Sequence, residues 1–370
     1  MSSKKILIVG SGFYGSIFAY ELNKRGFNVT VIDKRNHIGG NCYTRKQDDI
    51  DIHEYGPHIF HTDKKEIWDW INQFCEFENH IFSPVANYEN ELFSLPFNMW
   101  TFSQIWGISD PEEVERKLLE IQKSQNEKPR NLEEQAISLV GKKIYKKLIK
   151  GYTTKQWGKD PKSLPAFIIK RLPVRYTFNN NYFNDEYQGI PKNGYTEIFE
   201  NLLRGIKVDL GLDFFDKKEF YLKHFDHIIY TGPIDQYFNF KFGKLEYRSL
   251  RWENEKLDKP NYQGNSVVNY TSEKIPFTRI IEHKHFLKKP VNKHSTYISR
   301  EFPQDFKDGS EPYYPINDSV NNELYNRYKE LGEQEQKVAF GGRLGKYKYY
   351  DMHQVIASAL KDVQYFTKEL

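Results

Sequence analysis

Cysteine is scarce: Cys42 and Cys75 are the only two in 370 residues. Two cysteines do not make a disulfide framework, and no Cys/His spacing of a metal site accompanies them, so no metal is expected. No apolar run approaches the roughly 18 residues that a membrane span needs. No signal-peptide pattern precedes the first strand, and a cytoplasmic, reducing location is the expectation. There is no block of Lys and Arg, and the net charge is only +4, which gives no footprint for nucleic acid. Internal repeats and low-complexity linkers are also missing. Aromatic residues, by contrast, are abundant, with 26 Tyr and 27 Phe. Most such rings fill cores, but their faces also suit planar heterocycles and sugars. The length allows two or three domains.

The organisation is clearest at the two ends. Ile6–Val9 is a short apolar run, followed by Gly10-Ser11-Gly12-Phe13-Tyr14-Gly15, an apolar helix over Ser16–Lys24, and a second strand from Asn28 to Ile32 that ends at Asp33. This β-α-β pattern places the glycines where a dinucleotide needs them. Gly10 makes the tight turn, Gly12 admits a pyrophosphate to the backbone, and Gly15 allows helix and strand to pack closely. The pyrophosphate then meets the helix N-terminus, and Asp33 is placed to accept from a ribose. Further on, Asp63 with Glu66 reads as a capping box before a helix with Ile67, Trp70, Ile71 and Phe74 in phase. Residues 110–158 read as mostly helix, with caps at Asp110 and Asn131 and an interruption at Gly141. Residues 161–189 read as irregular and β-like. Residues 192–210 read as helix then strand, and 227–233 as a strand ending in a turn. Alternating runs between 245 and 302 predict an antiparallel sheet. Residues 320–332 read as helix, Val338–Phe340 as strand, and Asp351 onward as helix.

The choice between nicotinamide and flavin rests on the far end. Asp33-Lys34-Arg35-Asn36-His37-Ile38-Gly39-Gly40-Asn41 puts glycines beside the path of a bound cofactor. Gly341-Gly342-Arg343 and the helix after Asp351 resemble the last cofactor contact of glutathione-reductase-like flavoproteins, in which a helix N-terminus faces the flavin and favours its anionic reduced form. Tyr230-Thr231-Gly232-Pro233 resembles that group's middle strand returning to the cofactor. FAD is therefore expected.

Further segments follow in order: Tyr55–Thr62, Gly151-Tyr152-Thr153-Thr154-Lys155-Gln156-Trp157-Gly158, Leu172–Arg175, Asn181-Tyr182-Phe183, Pro276–Arg279, Pro312–Pro315, Gly342–Gly345 and Tyr349–Met352. With the glycine motif and Asp33–Asn41 they resemble the bacterial UDP-galactopyranose mutases. The resemblance runs from residue 4 to about 365. It implies an α/β fold: a Rossmann-like FAD-binding domain with an inserted helical bundle and an antiparallel β-sheet domain. The expected division gives 1–80, 191–240 and 317–370 to the FAD-binding domain, 81–160 to the helical bundle with a mobile lid, and 161–190 and 241–316 to the sheet.

It also implies a chemistry without net redox. Reduced FAD attacks the anomeric carbon of UDP-galactopyranose through N5, UDP leaves, the sugar ring opens and recloses through another hydroxyl, and UDP returns on galactofuranose. Arg175 and Arg279 match the pair that grips the diphosphate, although the ordinary fate of an arginine is a surface ion pair. Tyr182, Tyr314 and Tyr349 match tyrosines that bond the same phosphates. Tyr152 matches a ring that stacks on uracil, with Trp157 in the lid segment and Thr153 and Asn269 as further substrate contacts. Some relatives carry an aromatic one turn before that tyrosine; here the position is Leu148. His58 and His61 match residues beside the flavin, and His61 is the candidate for modest proton transfer. The cofactor set is Gly10, Gly12, Phe13, Gly15, Asp33, Lys34, Gly40, Asn41, His58, Ile59, Arg343, Tyr349, Asp351 and Met352. A homodimer and a supply of galactofuranose for cell-surface polysaccharide are further implications. Two other readings stay open: a flavin oxidoreductase of the amine-oxidase type, and a nucleotide-sugar binding protein on a degenerate flavoprotein scaffold.

Overall fold

The computed structural model describes residues 3–124, 128–169, 173–287, 293–307 and 309–369; Leu172 of the quoted motif lies outside them. Lys5–Val9 is the central strand of a five-stranded parallel sheet, flanked by Asn28–Asp33 and Lys207–Leu210 on one side and His227–Tyr230 and Val338–Phe340 on the other. Ile6, Leu7 and Ile8 are all fully buried, because a central parallel strand is covered on both faces. Helices Phe13–Lys24, Thr196–Leu202 and Met352–Glu369 pack together over one face, and Phe214, Tyr221 and Tyr237 cover the other. The strand order reverses between Lys5–Val9 and His227–Tyr230, and ligands of open parallel sheets bind at such a switch point.

A seven-stranded, largely antiparallel sheet stands beside it. Its order is Tyr314–Pro315, Tyr247–Leu257, Thr296–Asp305, Arg279–Glu282, Val267–Tyr270, Val85–Tyr88 and Glu91–Ser94. The last two strands correct the expectation that residues 81–160 form a helical bundle. They make a hairpin whose first strand pairs in parallel with Val268–Tyr270. Its turn, Glu89-Asn90, is left-handed at both residues, the geometry of a two-residue hairpin loop, but without the glycine that would have announced it. The helical part is Met99–Trp106, Pro111–Lys123 and Leu132–Ile144, continued by Gly151–Trp157, around Phe102, Val114, Leu118 and Ile144. Gly141 breaks helical geometry as expected.

Two other local expectations change. Asp63 does not cap the helix Lys65–Ile71, whose N-cap is Lys64. The Asp63 carboxylate instead accepts from the amide of Glu186 across the structure. Most of the described residues of 161–189 form short 3-10 turns and loops, and among them a strand is found only from Tyr187, in Tyr187–Pro191.

Candidate active site

The glycine motif sits at the carboxyl end of the central strand. Gly10 has φ of 101°, and a side chain there would strike the Thr231 hydroxyl at 2.1 Å, so the two strands at the switch point close to contact distance. A Cβ on Gly15 would lie 1.9 Å from the Gly10 carbonyl. Gly12 differs: a Cβ there would meet only the Cα of Gly40, at 3.9 Å. The two glycines thus face each other as bare backbone and leave a cradle beside the helix N-terminus. Asp33 is fixed at the end of its strand. One carboxylate oxygen accepts from the Ser11 amide at 2.8 Å and hydroxyl at 2.6 Å, and the other from the Arg35 amide at 2.9 Å. Lys34 and Arg35 both pair with Glu311, at 3.1 and 2.9 Å, and Arg35 also donates to Asn41.

From this cradle a cavity of about 1740 Å³ runs to the seven-stranded sheet. Single small-molecule sites hold roughly 300–1,000 Å³, so the volume accommodates a dinucleotide and a second ligand. Its wall includes Phe13, Lys34, Asn41, His58, Ile59, His61, Tyr152, Trp157, Tyr182, Asn269, Arg279, Tyr314, Arg343, Tyr349, Asp351 and Met352, together with Gly10, Gly12, Gly15, Asp33 and Gly40. The chain's two ends and its middle therefore meet on one surface.

Beyond the last strand of the parallel sheet, Arg343 donates from one terminal nitrogen to the Tyr313 carbonyl, while its Nε is buried without a partner. His58 Nδ1 lies 2.8 Å from the Gly56 carbonyl. Burial, then the charges of Arg343 and Arg279, hold the His58 pKa down to about 4 against that hydrogen bond. The ring is thus neutral near pH 7, with Nδ1–H donating and Nε2 free to accept. His61 Nδ1 meets the Asp185 carboxylate at 2.9 Å, and its ring stacks on Phe183 at 3.7 Å. His61, Asp351 and His353 also bring one ligand atom each within 4.8 Å of one another. Among the described residues this is the only group with the donor set for a metal ion, where no metal was expected.

The sheet end is built by register. Asn269 pairs with Arg279, and Arg279 with Glu301, so the three side chains stand in a row on one face. Arg279 donates from Nε to a Glu301 carboxylate oxygen at 2.7 Å, and its Nη2 lies 2.6 Å from the same atom. The other oxygen accepts from Thr278 at 2.7 Å. Glu301 is fully buried and Arg279 about one-fifth exposed. Burial works most strongly against the guanidinium's charge, but Glu301 together with the Tyr152 and Tyr314 phenols outweighs it, and the net shift of the Arg279 pKa is upward. The Tyr314 and Tyr349 rings lie 5.5 Å apart, and burial pushes the Tyr152 and Tyr314 phenols up, so both are neutral donors.

Two expected residues are not brought to the cavity wall. Thr153 is buried in its helix. Arg175 is held by oxygens of the loop that follows it, donating to the carbonyls of Asn179, Asn181 and Tyr182 and to the Asn184 side chain. The expected pair of arginines is therefore not formed here. Glu301, Arg35, Glu311 and Asp185 were missed by the sequence reading. A charge inside the alternating strand Thr296–Asp305 was a signal for Glu301, but its partner is visible only once the register is known.

The profile of UDP-galactopyranose mutase matches residues 147–349, and that of NAD(P)-binding Rossmann-like domains matches residues 8–74. A probable UDP-galactopyranose mutase of Klebsiella pneumoniae is 39% identical over 99% of this chain and 95% of its own. The chain belongs to the UDP-galactopyranose mutase family. A dTDP-fucopyranose mutase of Escherichia coli is 37% identical, with 98% of each chain covered. A solved reduced UDP-galactopyranose mutase superposes with a TM-score of 0.74 over all of this chain and 95% of that one; at 14% identity it bears on the fold alone. Membership makes the chain an isomerase on a Rossmann-like, dinucleotide-binding α/β fold. No helix among the described residues is long and apolar enough to cross a membrane.

Proposed function

We propose that the protein interconverts UDP-galactopyranose and UDP-galactofuranose and holds FAD, in its reduced state, for that purpose. The observation that carries this reading is Arg279: a desolvated cation, pinned by buried Glu301 and aligned with Asn269, facing the cavity whose other end is a dinucleotide cradle. The residues fit FAD, since Gly12 and Gly40 leave bare backbone for a pyrophosphate and the Arg343 Nε lacks a partner that a cofactor oxygen would supply. Asp33, Lys34, Asn41, His58, Ile59, Asp351 and Met352 complete that half. When bound and reduced, FAD supplies N5 as nucleophile toward the anomeric carbon.

The chain's own residues do the rest. Arg279 offsets the negative charge that grows on the diphosphate as it leaves, and it is fixed in advance, so no reorganisation is needed at that moment. The neutral phenols of Tyr182, Tyr314 and Tyr349 donate to phosphate oxygens. Tyr152 and Trp157 hold the uracil, and Asn269 the sugar. Arg175 joins the grip by exchanging the oxygens of loop 179–184 for those of the phosphates. His58 offers only an acceptor, so proton movement falls to His61, oriented by Asp185. The same reading assigns residues 85–94 to the sheet domain and the helices from Met99 to the bundle, with a cytoplasmic homodimer supplying galactofuranose for cell-surface polysaccharide.

The test is sugar analysis after incubating dithionite-reduced protein with UDP-galactofuranose, with dTDP-fucopyranose in parallel. Formation of UDP-galactopyranose with no reductant consumed per turnover is the expected result. Turnover of the dTDP sugar alone, or oxidation of substrate with stoichiometric flavin reduction, overturns it.

A further inference from the structure

The motif that supplies Tyr152 and Trp157 contains a lysine with no place in the scheme above. Lys155 lies on the helix Gly151–Trp157, one turn after Tyr152. Its ammonium points away from the cavity into the connection between two site strands. It lies 2.7 Å from the Tyr270 carbonyl, 3.0 Å from Ser272, 2.9 Å from Ile275 and 2.8 Å from Phe277. Three N–H bonds are thus shared among four carbonyls. These carbonyls belong to the turn that joins Val267–Tyr270, which carries Asn269, to Arg279–Glu282, which begins with Arg279.

The helix is also seated from its other end. Arg248, 4% exposed, donates from Nε to the Gln156 carbonyl at 2.9 Å and from Nη2 to the Lys155 carbonyl at 3.3 Å, satisfying oxygens that a helix C-terminus leaves open. Glycines at both ends allow this approach. A Cβ on Gly151 would lie 2.4 Å from the Thr271 carbonyl, and one on left-handed Gly158 would lie 2.8 Å from the Arg248 guanidinium. The segment continues the helix Leu132–Ile144 through the π-helical turn Tyr145–Lys150, and these grips set where its last turns sit against the sheet.

We propose that Lys155 is a positioning residue: it locks the helix bearing Tyr152 and Trp157 to the turn between the Asn269 and Arg279 strands, and so fixes the gap between the surface for the base and the cation for the diphosphate. The inference rests on the nucleotide reading of Tyr152 and Arg279. Loss of the ammonium leaves four carbonyls short of a donor and the two segments free to move apart.

Lys155→Met in the FAD-loaded protein tests it, with UDP as the probe. Removing charge-assisted hydrogen bonds of this kind should weaken UDP binding and raise KM for UDP-galactofuranose roughly tenfold. FAD content should be unchanged and kcat within about twofold, since no reacting atom is touched. Amide exchange should quicken together in 151–158 and 271–278. Unchanged UDP affinity and KM, or a loss confined to kcat or FAD content, overturns the proposal. Should the variant not fold, the wild-type protein still answers. UDP should slow exchange in both segments as one unit, and protection of one without the other overturns the coupling. Tyr152→Ala separates this inference from the reading beneath it. If that variant binds UDP normally, the base assignment fails. If it binds weakly while Lys155→Met binds normally, the assignment stands and the lock fails.

Discussion

Arg279 and Glu301 show why one side chain cannot be read alone. Glu301 holds the guanidinium in place, but it also competes with any diphosphate for it. Arg279→Ala should lower kcat by about 100-fold or more, the cost of removing one fixed group that stabilises transition-state charge; near-normal turnover would remove the assigned role. Glu301→Gln should act differently. Losing the anionic partner of this one-fifth-exposed, cavity-facing cation destabilises the fold by less than the roughly 3–5 kcal/mol of a fully buried pair, so the melting temperature falls, yet UDP should restore more of it than in the wild-type protein because the diphosphate replaces the lost anion. Thermal unfolding with and without UDP checks this; equal ligand shifts in both proteins count against it. That Arg279, Tyr152 and Arg343 belong on the cavity wall was legible in short motifs. Glu301 was not, because its meaning comes from a cross-strand neighbour 22 positions away in the chain.

Elements with strong local signals were read correctly, and those closed by unusual turns were not. The strand–glycine–helix start, the Asn131 cap and the break at Gly141 each have a local physical cause, and each is present. The Asp63 cap had the right letters but is absent, since its carboxylate does more across the structure at Glu186. The hairpins Thr44–Gln47 with Ile50–His53, and Val85–Tyr88 with Glu91–Ser94, turn through Asp48-Asp49 and Glu89-Asn90, all four residues left-handed. Left-handed backbone costs a non-glycine L-residue about 1–2 kcal/mol, and Asn-Gly or Asp-Gly normally avoids it. Asp49→Gly creates the favoured pair while leaving the Asp48 bonds to Lys256 and Tyr297 intact. It should stabilise the protein by about 1 kcal/mol, less the added freedom of glycine in the unfolded chain. A urea titration decides it; an unchanged or lower midpoint means the turn is already relaxed.

At the scale of the whole molecule, the flavoprotein-like ends were legible because glycine motifs are local, whereas the sheet that completes the cavity draws strands from 85 to 315 and depends on register. From the cavity wall at His58 a line of histidines runs inward to buried His53 and His283. The His58 amide donates to His53 Nδ1, and the His53 amide to His283 Nδ1, both at 3.2 Å, while His283 Nε2 meets the Ser299 hydroxyl at 2.6 Å. Protonating Nδ1 of His53 or His283 breaks a backbone hydrogen bond as well as burying a charge. Burial lowers all three pKa values: His283 to about 3, with Arg45 adding to the effect, His58 to about 4, and His53 well below its ordinary range, with the charge of His283 adding to it. In this window the unfolded chain binds more protons than the folded one, so stability rises with pH. The contribution is complete above about pH 6.5 and is lost as pH falls through that value toward 4 and 3. Each group costs about 1.4 kcal/mol per pH unit, which gives about 4 kcal/mol at pH 5 for His58 and His283 together. Urea midpoints at pH 7.5 and 5.0 should therefore differ clearly, and His283→Gln, whose amide oxygen still accepts from the His53 N–H, should flatten the slope by about one group's share. Equal midpoints at the two pH values would mean that the rings take up protons in place, which the backbone N–H groups donating to Nδ1 of His53 and His283 oppose in the geometry seen here.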